Sequence, residues 1–350
     1  MLRQALALER QTGNDRCTAE TLQLLGETER GRGNYHPAER LLDESLVIYR
    51  QLEDRPGVCA VLSVKAGVRR YQGDYEGATA LFGEALALGR ASGDVRRVAD
   101  VLARLGNLAS EQGSPSQSLP LYEEALALHY QLGDTSGIAD VLSRSGEAAT
   151  QMGDYAGAVV FCEQSLELYR SLGTNYGVAY VLLNQGEAAS GMGDLEGGKA
   201  LTAQSLALFQ EIGDRRCIAF ALEQLAGVAR EQHDYRQALA LYEESLELHC
   251  GLNTRPGIAR CLEGMARLAC AQGLGERAGR LHGAATALHE AMKSAMAPAA
   301  RVRYGQEMTA VRGQMENEAF TAAAAEGRTM SLEQVMDYAH DELSAGRAGA

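Results

Sequence analysis

Apolar residues fall at helical spacing in stretches of about 16 positions, and the stretches themselves recur along the chain. "QGDYEGATALFGEALALGRASGD" begins at Gln72, "MGDYAGAVVFCEQSLELYRSLGT" at Met152 and "QHDYRQALALYEESLELHCGLNT" at Gln232. Intermediate copies begin at Gln112 and Met192, so the period is 40 residues, unbroken from about Gly13 to Ala291. One column of the repeat reads Leu22, Leu62, Leu102, Leu142, Leu182, Leu222, Leu262. Four residues on it reads Gly26, Ala66, Gly106, Gly146, Gly186, Ala226, Ala266. Large residues fill the space between two helices, and small ones let their backbones approach. Each period therefore predicts two helices separated by a turn such as Gly73-Asp74, where Gly ends the first helix and Asp caps the second.

One helix pair cannot bury its apolar face alone, so neighbours must stack. The predicted fold is all-α: an α-solenoid of helical hairpins forming a right-handed superhelix, closed by C-terminal capping helices. Residues 1–13 are expected to be the second helix of an incomplete repeat, which suggests more protein upstream. Residues 14–291 are expected to form seven repeats, 292–343 capping helices and 344–350 a disordered tail. Pro298, Glu316 and Ser331 mark the expected starts of the capping helices, with Ser331 and Gln334 forming a capping box.

The pattern resembles the tetratricopeptide repeat. Leu142 with Gly146 matches its large-then-small pair; Ala238, Tyr242 and, more loosely, Ser245 match its later small and aromatic positions. The departure is length: 40 residues rather than 34, with Arg50, Arg90 or Arg170 where a terminal Pro would stand. The ending ("RLHGAATALHEAM", "APAARVRYGQEM", "AFTAAAAEGRTMSLEQ") resembles the C-terminal sensor region of bacterial regulatory ATPases of the maltose-regulon-activator and LuxR-type kind. That resemblance implies a sensor or partner-binding arm, with an ATPase or output domain lying outside this chain.

Candidate chemistry is judged against the repeat. "GDLEGGKA", from Gly193, is one residue short of a phosphate-binding loop, but a helix precedes it and Ala200 stands where Ser or Thr would hold magnesium. It is read as a repeat turn. His129, His249 and His289 share a column with Tyr49, Tyr169 and Phe209, which makes them amphipathic packing or surface residues. Glu123-Glu124 and Glu243-Glu244 recur by repeat and read as a solvated helix face. Tyr304, Glu307 and His340 are the remaining candidates for a catalytic site. The stripe with most promise lies on the first helix of each pair: Arg104, Arg144, Asn184, Gln224 in one column, and Asn107, Glu147, Glu187 three residues on. These residues are expected to line a concave groove that binds a protein, a peptide or a small inducer.

Charge and cysteines narrow the choice of partner. With 46 acidic against 33 basic residues the net charge is −13, which disfavours direct nucleic-acid binding. The seven cysteines include no C-x-x-C pair and suit a reducing cytoplasm. No signal sequence and no run of 18 apolar residues is present, so no membrane role is expected. Together these features predict a non-enzymatic, cytoplasmic binding module that uses no cofactor and no metal. The alternative is a stand-alone intracellular peptide receptor of the quorum-sensing type, or an assembly scaffold.

Overall fold

The computed structural model describes residues 2–292, 305, 309 and 317–346, and every regular element among them is a helix. Helix α1 spans Leu2–Thr12. Seven antiparallel pairs follow: α2 (Asp15–Gly31) with α3 (Tyr35–Gln51), α4 (Arg55–Tyr71) with α5 (Tyr75–Ser92), and α6 (Val95–Glu111) with α7 (Pro115–Leu132). Then come α8 (Thr135–Met152) with α9 (Tyr155–Ser171), α10 (Asn175–Gly191) with α11 (Leu195–Ile212), α12 (Arg215–Glu231) with α13 (Tyr235–Gly251), and α14 (Arg255–Ala271) with α15 (Gly275–Ala291). Helices α16 (Asn317–Thr329) and α17 (Leu332–Gly346) complete the described chain. None of the helices is long and apolar enough to cross a membrane.

The turn residues act as their chemistry requires. Carboxylates of Asp54, Asp74, Asp94, Asp134, Asp154 and Asp194 each accept the backbone N–H three residues on, at 2.9–3.2 Å. The preceding residue adopts a left-handed conformation, as at Gly73 (φ 80°) and Gly193 (φ 93°). Gly193 is thus a turn glycine, and "GDLEGGKA" is the corner between α10 and α11. Within a pair, the hydroxyls of Ser45, Ser165, Ser205 and Ser245 each donate to a carbonyl of the partner helix 26 residues earlier at 2.7–2.8 Å. His129, His249, Tyr49, Tyr169 and Phe209 of the shared column are buried, while His289 is only partly so.

Seven pairs carry the solenoid through enough rotation for distant repeats to touch. Arg216 of α12 lies over the Tyr71 ring of α4, 4.5 Å from its centroid. The α2–α3 turn at Gly33 abuts the backbone of Leu252, and the α4–α5 turn at Gly73 abuts Met292. Met292 and Ala259 pack in the same buried cluster as Tyr35, Leu62 and Phe82. The inner helices of the pairs (α2, α4, α6, α8, α10, α12, α14) therefore enclose a channel rather than an open groove.

At the far end, α16 lies across α15, where Gly279 and Gly283 let its backbone approach and Phe320 is fully buried. Ser331 and Gln334 form the reciprocal capping box at 2.8 and 3.2 Å. Helix α17 continues to Gly346, so the expected tail from 344 starts too early: the helix carries on through Ser344-Ala345. The expected helix at Pro298, with Tyr304 and Glu307, lies outside the described residues, as does the side chain of His340.

Candidate functional site

A 40-residue period places equivalent residues of successive inner helices in ladders along the channel. Two cavities open there, and they differ in charge. One, of about 260 Å³, is lined by Arg30, Arg70, Tyr71, Arg104, Arg144 and Arg216, with Asp100, Asp140 and Asn107 among them. The other, of about 310 Å³, is lined by Glu111, Glu147, Glu187, Glu223, Glu231 and Glu263, with Gln224, Arg230, Arg260 and Arg267.

In the arginine cavity, two guanidiniums are paired. Arg70 meets Glu111 at 2.9 Å, and Arg144 meets Asp140 at 3.0 Å while lying over Tyr180. Arg30, Arg104 and Arg216 have no ion-pair partner among the described residues. Arg30 Nε and Arg216 Nη1 are buried without a hydrogen bond. Three guanidiniums surround the Tyr71 ring: Arg70 and Arg216 at 4.5 Å and Arg30 at 5.9 Å. Burial alone would raise the Tyr71 phenol, but Arg70, Arg216 and Arg30 outweigh it and hold its pKa below the ordinary value. Arg104 reaches water within the channel, yet reduced hydration and then the like charges of Arg144, Arg70 and Arg30 lower its pKa against the pull of Asp100.

In the glutamate cavity, carboxylates find partners, some cationic and some neutral. Arg260 donates to both oxygens of Glu223 at 3.2 and 3.3 Å, and His289 meets Glu263 at 2.6 Å. Gln224 donates to Glu187 at 3.2 Å, and the Tyr180 hydroxyl donates to Glu147 at 2.9 Å. Burial raises the pKa of Glu147 and of Glu223 against the opposing pull of Arg144 and of Arg260 respectively. His249, 1% exposed, sits beneath, and burial followed by the Arg260 charge lowers its pKa to about 3. Donor atoms of Glu223, His249 and Cys261 lie within 4.8 Å of one another, a convergence of three helices that no sequence spacing announced. Arg260 already neutralises the carboxylate, and burial raises the Cys261 thiol so that it stays protonated; both work against a cation there.

The sequence-predicted stripe divides between the two cavities. Arg104, Arg144 and Asn107 line the first, where Asn107 accepts the Tyr122 hydroxyl at 2.7 Å. Glu147, Glu187 and Gln224 line the second. Asn184 lines neither. It is 4% exposed, and its amide donates to the Ser143 carbonyl and hydroxyl at 3.1 Å, so it ties α10 to α8. A polar residue at a groove column had found a partner in the neighbouring helix instead. Sequence reasoning missed Arg30 and Arg70, although they stand 40 residues apart in one column, and Arg216, which reaches Tyr71 only because the channel closes.

Comparison with known proteins agrees with this architecture. A tetratricopeptide-repeat model matches residues 57–131 and 178–251, and a second tetratricopeptide-repeat model matches 18–55; together they span just over half of the chain. No curated protein matches in sequence. Among solved structures, a Rap protein complexed with Competence and Sporulation Factor is similar over 89% of this chain and 93% of its own, at 12% identity and TM-score 0.62. A signal transduction ATPase with numerous domains from Pyrococcus horikoshii, carrying a tetratricopeptide repeat sensor, is similar over 91% of this chain at 15% identity and TM-score 0.51. This chain spans about half of that protein's length (49%). BtubC from P. vanneervenii is 21% identical over 61% of this chain and 89% of its own, with TM-score 0.47.

Proposed function

Because this chain belongs to the tetratricopeptide-repeat family, whose members are generally non-catalytic scaffolds, we propose that it is a binding module that takes a peptide or protein segment into its channel. The observation that carries this is the channel itself. It is walled by inner helices, lined by polar side chains from successive repeats, and hollowed into two cavities whose volumes sit near the lower end of the usual range for ligand pockets. Packing columns account for the Leu, Ala and Gly positions; nothing in packing requires an arginine at 30, 70, 104, 144 and 216. Arg104, Asn107, Arg144, Glu147, Glu187 and Gln224 form the proposed contact surface, and Asn184 supports it from behind.

The finer reading is a cytoplasmic sensor arm of a bacterial signalling or transcription-regulatory protein, in which occupancy alters superhelix curvature and hence an attached ATPase or output domain. Likeness to the sensor-bearing ATPase supports it. A stand-alone receptor is the second reading, supported by the likeness to nearly the whole length of the Rap protein in its complex.

A displayed library of short peptides, selected against the full chain, tests the proposal. Peptides enriched on wild type and lost on Glu187→Ala/Gln224→Ala, with circular dichroism unchanged, are the expected result. Enrichment that survives the double substitution removes the channel as the binding surface.

A further inference from the structure

The channel as binding site is the reading on which this inference rests, and the arginine cavity specifies what part of a ligand enters it. Five guanidiniums converge on about 260 Å³. Glu111 and Asp140 answer two of them. Arg30, Arg104 and Arg216 come from helices α2, α6 and α12, and no described carboxylate lies within ion-pair distance of any of the three. Two of them also bury a nitrogen with no acceptor. A buried donor left without a partner costs about 1–3 kcal/mol, more for a charged group. Two such groups, with the water-reached guanidinium of Arg104 beside them, would not gather in a chain with 13 surplus negative charges unless something answered them. Asp100 lines the same cavity and attracts Arg104 without forming an ion pair with it, while next door Glu223 is taken by Arg260 and Glu263 by His289.

We propose that this cavity is the receptor for an oxyanion, a carboxylate or phosphate group, held by Arg30, Arg104 and Arg216 beside Tyr71. Guanidinium suits such a group because it stays charged and its planar fork matches two oxygens of either anion. Placement across α2, α6 and α12 gives the anion a structural consequence. Helices α2 and α12 belong to the first and the sixth pair, so an anion bridging their arginines ties the two ends of the superhelical turn together. Its arrival stabilises the closed channel; its departure leaves like charges facing each other across the seam. Tyr71, with the guanidiniums of Arg70 and Arg216 both 4.5 Å from its ring centroid, marks that seam.

The experiment is calorimetric titration and thermal unfolding of the full chain with inorganic phosphate, and separately with succinate, each against chloride at matched ionic strength. Phosphate and succinate separate the two sources of the oxyanion. Expected is saturable one-to-one binding of at least one of them with a rise in Tm. Arg104→Gln and Arg216→Gln should each weaken it by about tenfold or more. Arg90→Gln, which removes the same charge from the outer surface, should leave it unchanged. Because Arg104 faces like charges, Arg104→Gln should have an unliganded Tm at or above wild type, so loss of binding there is not loss of fold. Binding of neither anion beyond chloride overturns the proposal, as does equal binding by wild type and both channel variants. If selected peptides bind the channel but ignore Arg104→Gln, the anion receptor falls and the peptide-binding reading stands. If phosphate or succinate binds through the arginines while the library yields nothing, the reverse holds.

Discussion

The two cavities of the channel are built by the same helices on the same repeat, and they treat charge in opposite ways. In the glutamate cavity Arg260 is neutralised by Glu223, and His289 is hydrogen-bonded to Glu263. In the arginine cavity Arg30, Arg104 and Arg216 stand without such partners among the described residues. A matched charge in a half-buried site holds structure together; an unmatched one costs stability and is retained for what it can bind. The same chemical change should therefore have opposite signs in the two places.

The largest effect is expected from Arg260→Met. It strips Glu223 of its partner and leaves a carboxylate facing low dielectric, for a loss of about 3 kcal/mol in urea unfolding. Adding Glu223→Met should recover most of that loss; no recovery would mean that Arg260 acts through packing on Phe220, over whose ring it lies at 4.1 Å. Next comes acid. His249 is held neutral in the fold, with its pKa near 3 against an ordinary 6.5. As pH falls below 6.5 the unfolded chain takes up the proton first, so stability falls, by about 1.4 kcal/mol per unit. Between pH 6.5 and 5 wild type should lose about 2 kcal/mol more than His249→Phe, read by unfolding at each pH. Equal slopes would show that the histidine is not shielded.

Asn184→Ala should cost about 1 kcal/mol through its lost bonds to Ser143 while leaving peptide capture intact. Glu187→Ala, one turn away and inside the cavity, should show the converse: little change in stability and weakened capture. In the arginine cavity, Arg104→Gln should raise unliganded stability by less than about 1 kcal/mol, since channel water screens the repulsion. A loss there would erase the contrast between the cavities. The smallest effect belongs to the outer surface, where exposed Arg50 and Glu84 pair at 2.9 Å; Arg50→Ala should cost no more than a few tenths of a kcal/mol and nothing at high salt.

Much of this was legible in the chain. The 40-residue column of Leu22, Leu62 and Leu102 located the inner helices, and Asp74 and Asp154 located the starts of their partners, because caps and helical periodicity are local. Local also was the amphipathic role of His129, His249 and His289, which followed from the aromatic company they keep in their column; burial of the first two and the partial exposure of the third were left to the neighbours. Six of the seven stripe residues reach the channel because equivalent positions of stacked helices must share a face. Asn184 does not, since whether a polar residue bonds a neighbouring helix or faces solvent depends on what that neighbour presents, here Ser143. Arg216 was invisible for a different reason: its partner ring, Tyr71, lies 145 positions earlier in the sequence, and no periodicity joins them.

The sequence by itself determined that this protein is a stack of helical pairs, where the repeat turns fall, and which columns are packed. These follow from hydrogen bonds and side-chain volumes acting within one repeat or between neighbours. Only the tertiary structure decided that the stack closes on a channel and sorts its charges into an arginine end and a glutamate end. Closure is the sum of small rotations between successive pairs. Each rotation is set by how individual side chains interlock, so the total appears only when all seven are in place.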